Sequence, residues 1–403
     1  MIDYKVIKTA EEFLTKSFKE LEDIALFNQE KVLNAFKKNQ VALRHFSGTT
    51  GYGYGDEGRE CLNKILADIF KAESAICSPT IASGTHALSL CLFGILRPGD
   101  RMLAITGEPY DTLTDVIKGE NIGSLKDFGV LYDSIPLKSN KIDLDSVNNY
   151  ISKNGTPKMI YIQRSRGYDW RSALTISDIE DAVKSIRSFG FDGCIMLDNC
   201  YGEFIEEREA IEVGVNILAG SMIKNLGGGI APTGGYVVGD GKYVELVANR
   251  LTAPSIGSEV GSYVFGYQSF FQGLFLAPHV VMQAVKGSML MGKVLSDMGY
   301  DVSPEPLKKP GDIILAIKFN NREKLISFIQ NIQTNSPVDS FVQVLPWEMP
   351  GYNDPVIMAA GCFVQGSSIE LSADAPVKPP YIAYVQGGIT YEHCKIALKN
   401  LSL

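Results

Sequence analysis

The sequence predicts an α/β protein: a mostly parallel central sheet with helices on both faces, followed by a smaller α+β C-terminal domain. Three observations predict it. From about residue 60 onward, short apolar runs alternate with stretches of helical periodicity, the pattern of strands joined by crossover helices. Past Asp301 the order changes to one strand, one helix and then several strands, which suits a separate α+β layer. Finally, 403 residues with 45% apolar and 21% charged side chains suffice for two hydrophobic cores. The expected division is 1–60 as an N-terminal helix and glycine/tyrosine-rich arm, 61–277 as a large domain, and 278–403 as a small domain with its linking helix.

Each element follows in order. Residues 11–38 place Phe13, Leu14, Phe18, Leu21 and Ile24 at helical spacing. Residues 47–59 hold five glycines and two tyrosines, too flexible for a core element and too aromatic for a plain linker. A helix over 61–70 leads to a strand at 75–78. Ser83 then opens a helix that Arg97-Pro-Gly-Asp stops. Strands are expected at 101–106, 129–132, 158–162, 193–197, 216–220 and 235–239, with helices at 144–153 and 176–189. Residues 250–276 are rich in Gly, Ser, Tyr and Phe, and a long helix follows over 278–298. In the small domain, strands are expected at 312–319, 341–345, 356–363, 368–371 and 381–386, and helices at 321–332 and 390–401.

A net charge of −8 argues against nucleic acid or an anionic membrane as partner, because both need a basic footprint. No run reaches the roughly 18 consecutive apolar residues of a membrane span, and the first residues lack a signal-peptide core. The seven cysteines, odd in number and set in apolar stretches, read as reduced core residues of a cytoplasmic protein. The four histidines are far apart and suggest no metal site.

Chemistry concentrates in two stretches. Lys224 lies just past an apolar run and just before three glycines, 26 positions after Asp198. A lysine so placed can be desolvated, lose its proton and form an imine with a carbonyl. Asp198 ends the preceding apolar strand and can sit against a pyridinium nitrogen, so the pair suggests a pyridoxal phosphate enzyme. An aspartate capping a turn and a surface lysine are the plain alternatives. Ser83-Gly84-Thr85, at a strand-to-helix turn, offers open N–H groups and a helix dipole to a phosphate; a simple N-cap is the alternative. Neither a Walker lysine motif nor a Gly-x-Ser-x-Gly elbow is present.

In their order along the chain, Ser83-Gly84-Thr85, Arg97-Pro-Gly-Asp, Tyr110, Asp198, Ser221 and Lys224 resemble the signature of fold-type I pyridoxal phosphate enzymes. More narrowly, the chain resembles the cysteine/methionine-metabolism group of methionine γ-lyase and cystathionine β-lyase. Gly51-Tyr-Gly-Tyr-Gly-Asp-Glu-Gly-Arg59, Leu274-Phe-Leu-Ala-Pro-His279 and Pro379-Pro-Tyr-Ile-Ala-Tyr384 resemble its aluminium-resistance branch. The resemblance implies pyridoxal 5'-phosphate as cofactor. Lys224 would be the Schiff-base lysine and the base for the α-proton, Asp198 the partner of the pyridinium nitrogen, and Tyr110 the ring stacked on it. Ser83, Gly84, Thr85 and Ser221 would hold the phosphate, with Ile223 standing where a second hydroxyl is common.

The resemblance further implies a homodimer or homotetramer with shared sites. Tyr52, Tyr54 and Arg59 would cross from a neighbouring subunit to the phosphate, and Tyr263, Tyr267 and Gln268 are further candidates there. Related enzymes clamp the substrate carboxylate with a C-terminal arginine, yet no arginine follows Arg322. Arg164, Arg166 and Arg171 follow the strand at 158–162 and are the replacements, with Gln163 beside them and Lys378 a weaker candidate. The implied activity is a carbon–sulfur lyase acting on a small sulfur-containing amino acid. An aminotransferase, a replacement synthase or a non-catalytic stress-response scaffold are the alternatives.

Overall fold

The computed structural model describes residues 1–349 and 351–402. Its first sheet contains β1 (Ser74–Ser78), β2 (Arg101–Ala104), β3 (Leu131–Ser134), β4 (Met159–Gln163), β5 (Cys194–Asp198), β6 (Ile217–Ser221) and β7 (Gly235–Gly239). The spatial order is β1-β7-β6-β5-β4-β2-β3, and only β7 runs antiparallel to its neighbours. Every residue of β4 to β7 is buried. That is why these strands read as continuous apolar runs rather than alternating ones. Gln163 of β4 pairs with Asp198 of β5, and Asp198 with Ala219 of β6. The carboxyl ends of the three central strands therefore share one edge, where ligands bind in such sheets.

The second sheet is antiparallel throughout. It contains β8 (Asp301–Ser303), β9 (Leu315–Lys318), β10 (Val356–Ala359), β11 (Ser372–Pro376) and β12 (Ile382–Gln386), in the order β10-β11-β12-β9-β8. The helices are α1 (Tyr4–Lys38), α2 (Glu57–Phe70), α3 (Gly84–Ile95), α4 (Asp111–Lys118), α5 (Leu144–Asn154), α6 (Ile176–Ser188), α7 (Gly241–Leu251), α8 (Gln268–Asp297), α9 (Arg322–Thr334) and α10 (Tyr391–Asn400). Side chains of Asp3, Asp56, Ser83, Asp143, Thr175, Asn321 and Thr390 cap seven of them by accepting first-turn N–H groups, which satisfies donors the helix itself cannot.

Several expectations are corrected. Helix α1 starts at Tyr4, and its Ile7, Ala10 and Leu14 enter the core of the second sheet while Leu21, Val32 and Ala35 enter that of the first. Residues 1–60 are therefore not a free-standing unit. Helix α8 starts ten residues before the expected Pro278, which lies inside it. A proline removes one helical hydrogen bond, but α8 buries Phe270, Phe271 and Leu274 on one side of it and Val281 and Val285 on the other. The boundary expected at 277 falls within this helix, which feeds both cores. Residues 341–345 are not a strand; Phe341 and Leu345 are exposed, and only a single bridge, Trp347 to Val356, continues the sheet there. The strand expected at 368–371 begins instead at Ser372.

By length and composition α8 would suffice to cross a membrane. More than half of its apolar window is buried inside the protein, as in a core helix.

Candidate active site

Lys224 follows β6 at the start of a single 3-10 turn, Asn225–Gly227. The glycines after it serve close packing. A Cβ on Gly227 would overlap the carbonyl of Met222, and a Cβ on Gly273 of α8 would overlap the carbonyl of Gly227. The lysine loop and the helix thus meet backbone to backbone, which only glycine permits.

The half-buried Lys224 ammonium lies 3.9 Å from the centre of the Tyr201 ring, a cation–π contact. Burial alone would lower its pKa, as the sequence suggested. The net direction is nevertheless up, because Cys200, Tyr201, Asp198 and Tyr110 face it and favour the charged form.

Asp198 is buried at the end of β5. One carboxylate oxygen accepts the Cys200 N–H at 3.0 Å and the other the Tyr161 hydroxyl at 3.4 Å. Burial raises its pKa, with Lys224 and the bonds from Cys200 and Tyr161 opposing. Tyr110 joins the same group. Its hydroxyl is 2.7 Å from Thr85 Oγ1, and its backbone N–H donates to Gln163 Oε1 at 2.9 Å. Burial, Asp198 and Cys200 raise the phenol's pKa.

Ser83 is the N-cap of α3, its hydroxyl accepting the His86 N–H at 3.0 Å. Gly84 lies against the strand ends: a Cβ there would sit 3.3 Å from Cys200 Sγ and 3.4 Å from Ser221 Cβ. Two first-turn N–H groups of α3 therefore open beside Ser221, Cys200 and Tyr110 with no helical acceptor of their own. An anion-binding helix start, a lysine and a buried carboxylate converge, and this donor set fits pyridoxal phosphate.

The arginines separate. Arg164 is fully buried, and its guanidinium donates to the carbonyls of Leu174 and Gly202, to Asn199 Oδ1 and to Glu206 Oε1. It is spent on structure, which corrects its expected contact with substrate. Arg171 likewise donates to the carbonyls of Gln163, Arg164, Ser165 and Ser172. Arg166 differs: it is buried, one Nη donates to Ser303 Oγ at 2.9 Å, and its Nε has no partner. It lines a cavity of about 200 Å³ together with Tyr110, Gln163, Tyr168 and Tyr352. Lys378 also reaches this cavity but pairs with Asp354 at 2.6 Å.

Within the chain the arm is apart from these residues. Arg59 donates to the carbonyls of Gly261 and Glu259, and the Tyr267 hydroxyl donates to Asp56 Oδ2 at 3.0 Å. These bonds bind the glycine/tyrosine loop to the segment before α8. Tyr52 and Tyr54 are about 70% exposed, with ring centres 5.6 Å apart. Gln268 is exposed and Tyr263 packs against Tyr267 and Phe270.

Residues 3–402 match the methionine gamma-lyase family. The chain belongs to that family. Like other methionine gamma-lyase family members it is a pyridoxal phosphate-dependent lyase. It is 48% identical to a solved structure of a carbon-sulfur lyase involved in aluminum resistance from Clostridium novyi NT, with a TM-score of 0.94 over 98% of this chain and 94% of that one. It is also 48% identical to a Clostridium acetobutylicum protein provisionally named a cystathionine beta-lyase involved in aluminum resistance, with a TM-score of 0.96 over 99% and 95% of the two chains. The uncharacterized Bacillus subtilis protein YnbB is 48% identical over 94% of this chain and 91% of its own length. A methionine gamma lyase from Micromonospora echinospora, 15% identical with a TM-score of 0.58, shares the fold.

Three residues escaped the sequence reading. Cys200 and Tyr201 lie two and three positions after Asp198, but nothing local signals that Tyr201 takes a left-handed backbone, φ +72°, with its ring against Lys224. Asp374 arrives from the second sheet, and no spacing along the chain links it to the site.

Proposed function

We propose that the chain is a cytoplasmic homo-oligomeric carbon–sulfur lyase for a sulfur-containing amino acid such as cystathionine, cysteine or methionine. It removes the α-proton and expels a thiol from the β- or γ-carbon, leaving ammonia and a 2-oxo acid. The observation that carries this reading is the convergence of Lys224, Asp198 and Tyr110 on the open start of α3. Pyridoxal phosphate, when bound, supplies the electron sink that makes the α-proton acidic.

The chain's own groups do the rest. The N–H groups at the start of α3, with Ser83, Thr85 and Ser221, would hold the phosphate. Asp198 would face a pyridinium nitrogen and keep it protonated. Lys224 then serves as the base at the α-carbon. Tyr110 would flank the cofactor ring, and Gln163 orients Tyr110 by accepting its backbone N–H. Tyr52 and Tyr54, exposed on the arm, reach a neighbouring subunit's phosphate, while Arg59 holds the arm in shape. The seven cysteines are free and buried, as suits a reducing compartment.

Product analysis tests the reading. Cystathionine, cysteine and methionine are offered separately to the cofactor-loaded protein, and thiol and ammonia are measured. Release of both supports a lyase; conversion of substrate without free ammonia identifies an aminotransferase instead.

Arg166 is the proposed clamp for the substrate carboxylate. Arg166→Lys keeps the charge but loses the fork that fits a carboxylate. A fall in kcat/KM of about 10–100-fold, carried mainly by KM, is expected from losing a charge-assisted bond. Unchanged KM would move the clamp elsewhere.

A further inference from the structure

One buried acid takes no part in the mechanism above. Glu203, in the loop after β5, is fully buried. Its Oε1 accepts the Tyr236 hydroxyl of β7 at 2.5 Å, and that phenol oxygen accepts Asn199 Nδ2 at 3.4 Å. The phenol reaches Glu203 across Gly220 of β6, where a Cβ would lie only 2.6 Å from its oxygen. Lys224 stands four residues further along the chain. Asn225, directly after the lysine, is also fully buried. Its Nδ2 donates to the carbonyls of Tyr201 at 3.0 Å and Glu203 at 3.1 Å. The turn that carries the lysine is thereby tied to the loop that carries Glu203.

Two oxygens are left over. Glu203 Oε2 and Asn225 Oδ1 are both buried without a hydrogen-bond partner. An ionised Glu203 would be a buried charge with a neutral phenol on one oxygen and nothing on the other. It would also bring no donor for Asn225. A protonated Glu203 supplies the missing donor, from Oε2, beside an acceptor on the adjoining turn.

We propose that Glu203 is a positioning residue for Lys224: as a neutral acid it donates to Asn225 Oδ1 and locks the lysine turn onto the loop bearing Tyr201. The inference rests on the role given to Lys224 above. Glu203 acts through Asn225, touches no substrate, and keeps its proton throughout turnover. The groups facing it are Tyr236 from β7, Lys224 from the turn after β6, and Cys200 and Glu209 from its own loop. Burial raises the carboxyl to about 7, with Glu209 adding to this and the Tyr236 bond and the Lys224 charge opposing it. When Lys224 gives up its charge that opposition disappears, and the neutral acid is favoured further. Ionisation as the pH rises past neutrality leaves Asn225 without its donor and loosens the turn.

Two variants separate charge from donor. Glu203→Gln is neutral at every pH and keeps a donor, whereas Glu203→Ala keeps neither carboxyl oxygen nor donor. In cofactor-loaded protein, Glu203→Ala is expected to lose about 100-fold in kcat with KM little changed, as for a lysine displaced by about 1 Å. Glu203→Gln should stay within a few-fold of wild type and hold its activity above neutrality, where the wild type falls. In cofactor-free protein, infrared spectra taken slightly below neutrality should show a protonated-carboxyl band that Glu203→Gln lacks. The proposal is overturned if Glu203→Gln is as impaired as Glu203→Ala, if Glu203→Ala is fully active, or if that band is absent. If Glu203→Ala does not fold, the infrared band and the pH profile of Glu203→Gln decide. Wild-type protein that binds no pyridoxal phosphate overturns the role of Lys224, and this proposal with it.

Discussion

Lys224→Ala is expected to abolish thiol release, by about 1,000-fold or more, and to remove the yellow absorbance of the bound cofactor. The amine is both the attachment point and the base in the proposed mechanism, and general base catalysis alone is worth about 10²–10⁴-fold. No second lysine is at hand, since Lys378 is tied to Asp354 at the rim. The structure outside the site should be unchanged, because the ammonium leaves behind only its contact with the Tyr201 ring. Absorbance and thiol release are the measurements, and full activity in the variant would refute the site.

The same variant examines the arm. If Tyr52 and Tyr54 act on a neighbouring subunit, Lys224→Ala protein mixed with a Tyr52→Phe, Tyr54→Phe double variant regains activity. In that mixture an intact lysine meets an intact arm from its partner. No recovery after confirmed subunit exchange would place the arm in its own site, or outside any site.

Arg164→Ala is expected to lower stability by about 3–5 kcal/mol, the usual effect of removing one partner from a buried ion pair. Glu206 keeps Lys309 and the Ile176 N–H, but Asn199 Oδ1 and the carbonyls of Gly202 and Leu174 lose their donor. A Cβ on Gly202 would overlap the arginine stem, so the loop is wrapped tightly around it. This loop carries Cys200 and Tyr201, and Asn225 Nδ2 donates to the carbonyls of Tyr201 and Glu203. Cofactor affinity should therefore fall together with the thermal midpoint. A variant of unchanged midpoint with a raised KM would return Arg164 to the substrate.

What was legible in the sequence was local. Strand ends and the turns after them fix where Asp198, Lys224 and Ser83-Gly84-Thr85 lie, because a parallel sheet brings its carboxyl edges together. Arg164 and Arg166 were indistinguishable for the opposite reason. Both follow one strand, and only the path of the loop after it sends the first among carbonyls and the second to the cavity. The start of α8 was misread because Pro278 resembles a first-turn residue, whereas burial along the helix outweighs one lost bond. Asp374 depends on how two sheets face each other, which no window of sequence reports. The upward direction of the Lys224 pKa depends on Cys200 and Tyr201, whose backbone turn was likewise invisible.

The crossing of Gly227 and Gly273 sets a limit on how this enzyme can change. Where two chains touch without side chains, their spacing is the thickness of the peptide backbone, and no graded series of substitutions adjusts it. The reactive amine is thus held at a fixed height above α8, as on a jig. Variation in substrate range must then come from the opposite wall, where side chains of the second sheet supply the adjustable parts. A lineage exploring new thioethers would be expected to drift at Tyr352 and Tyr384 while the glycine crossing stands still.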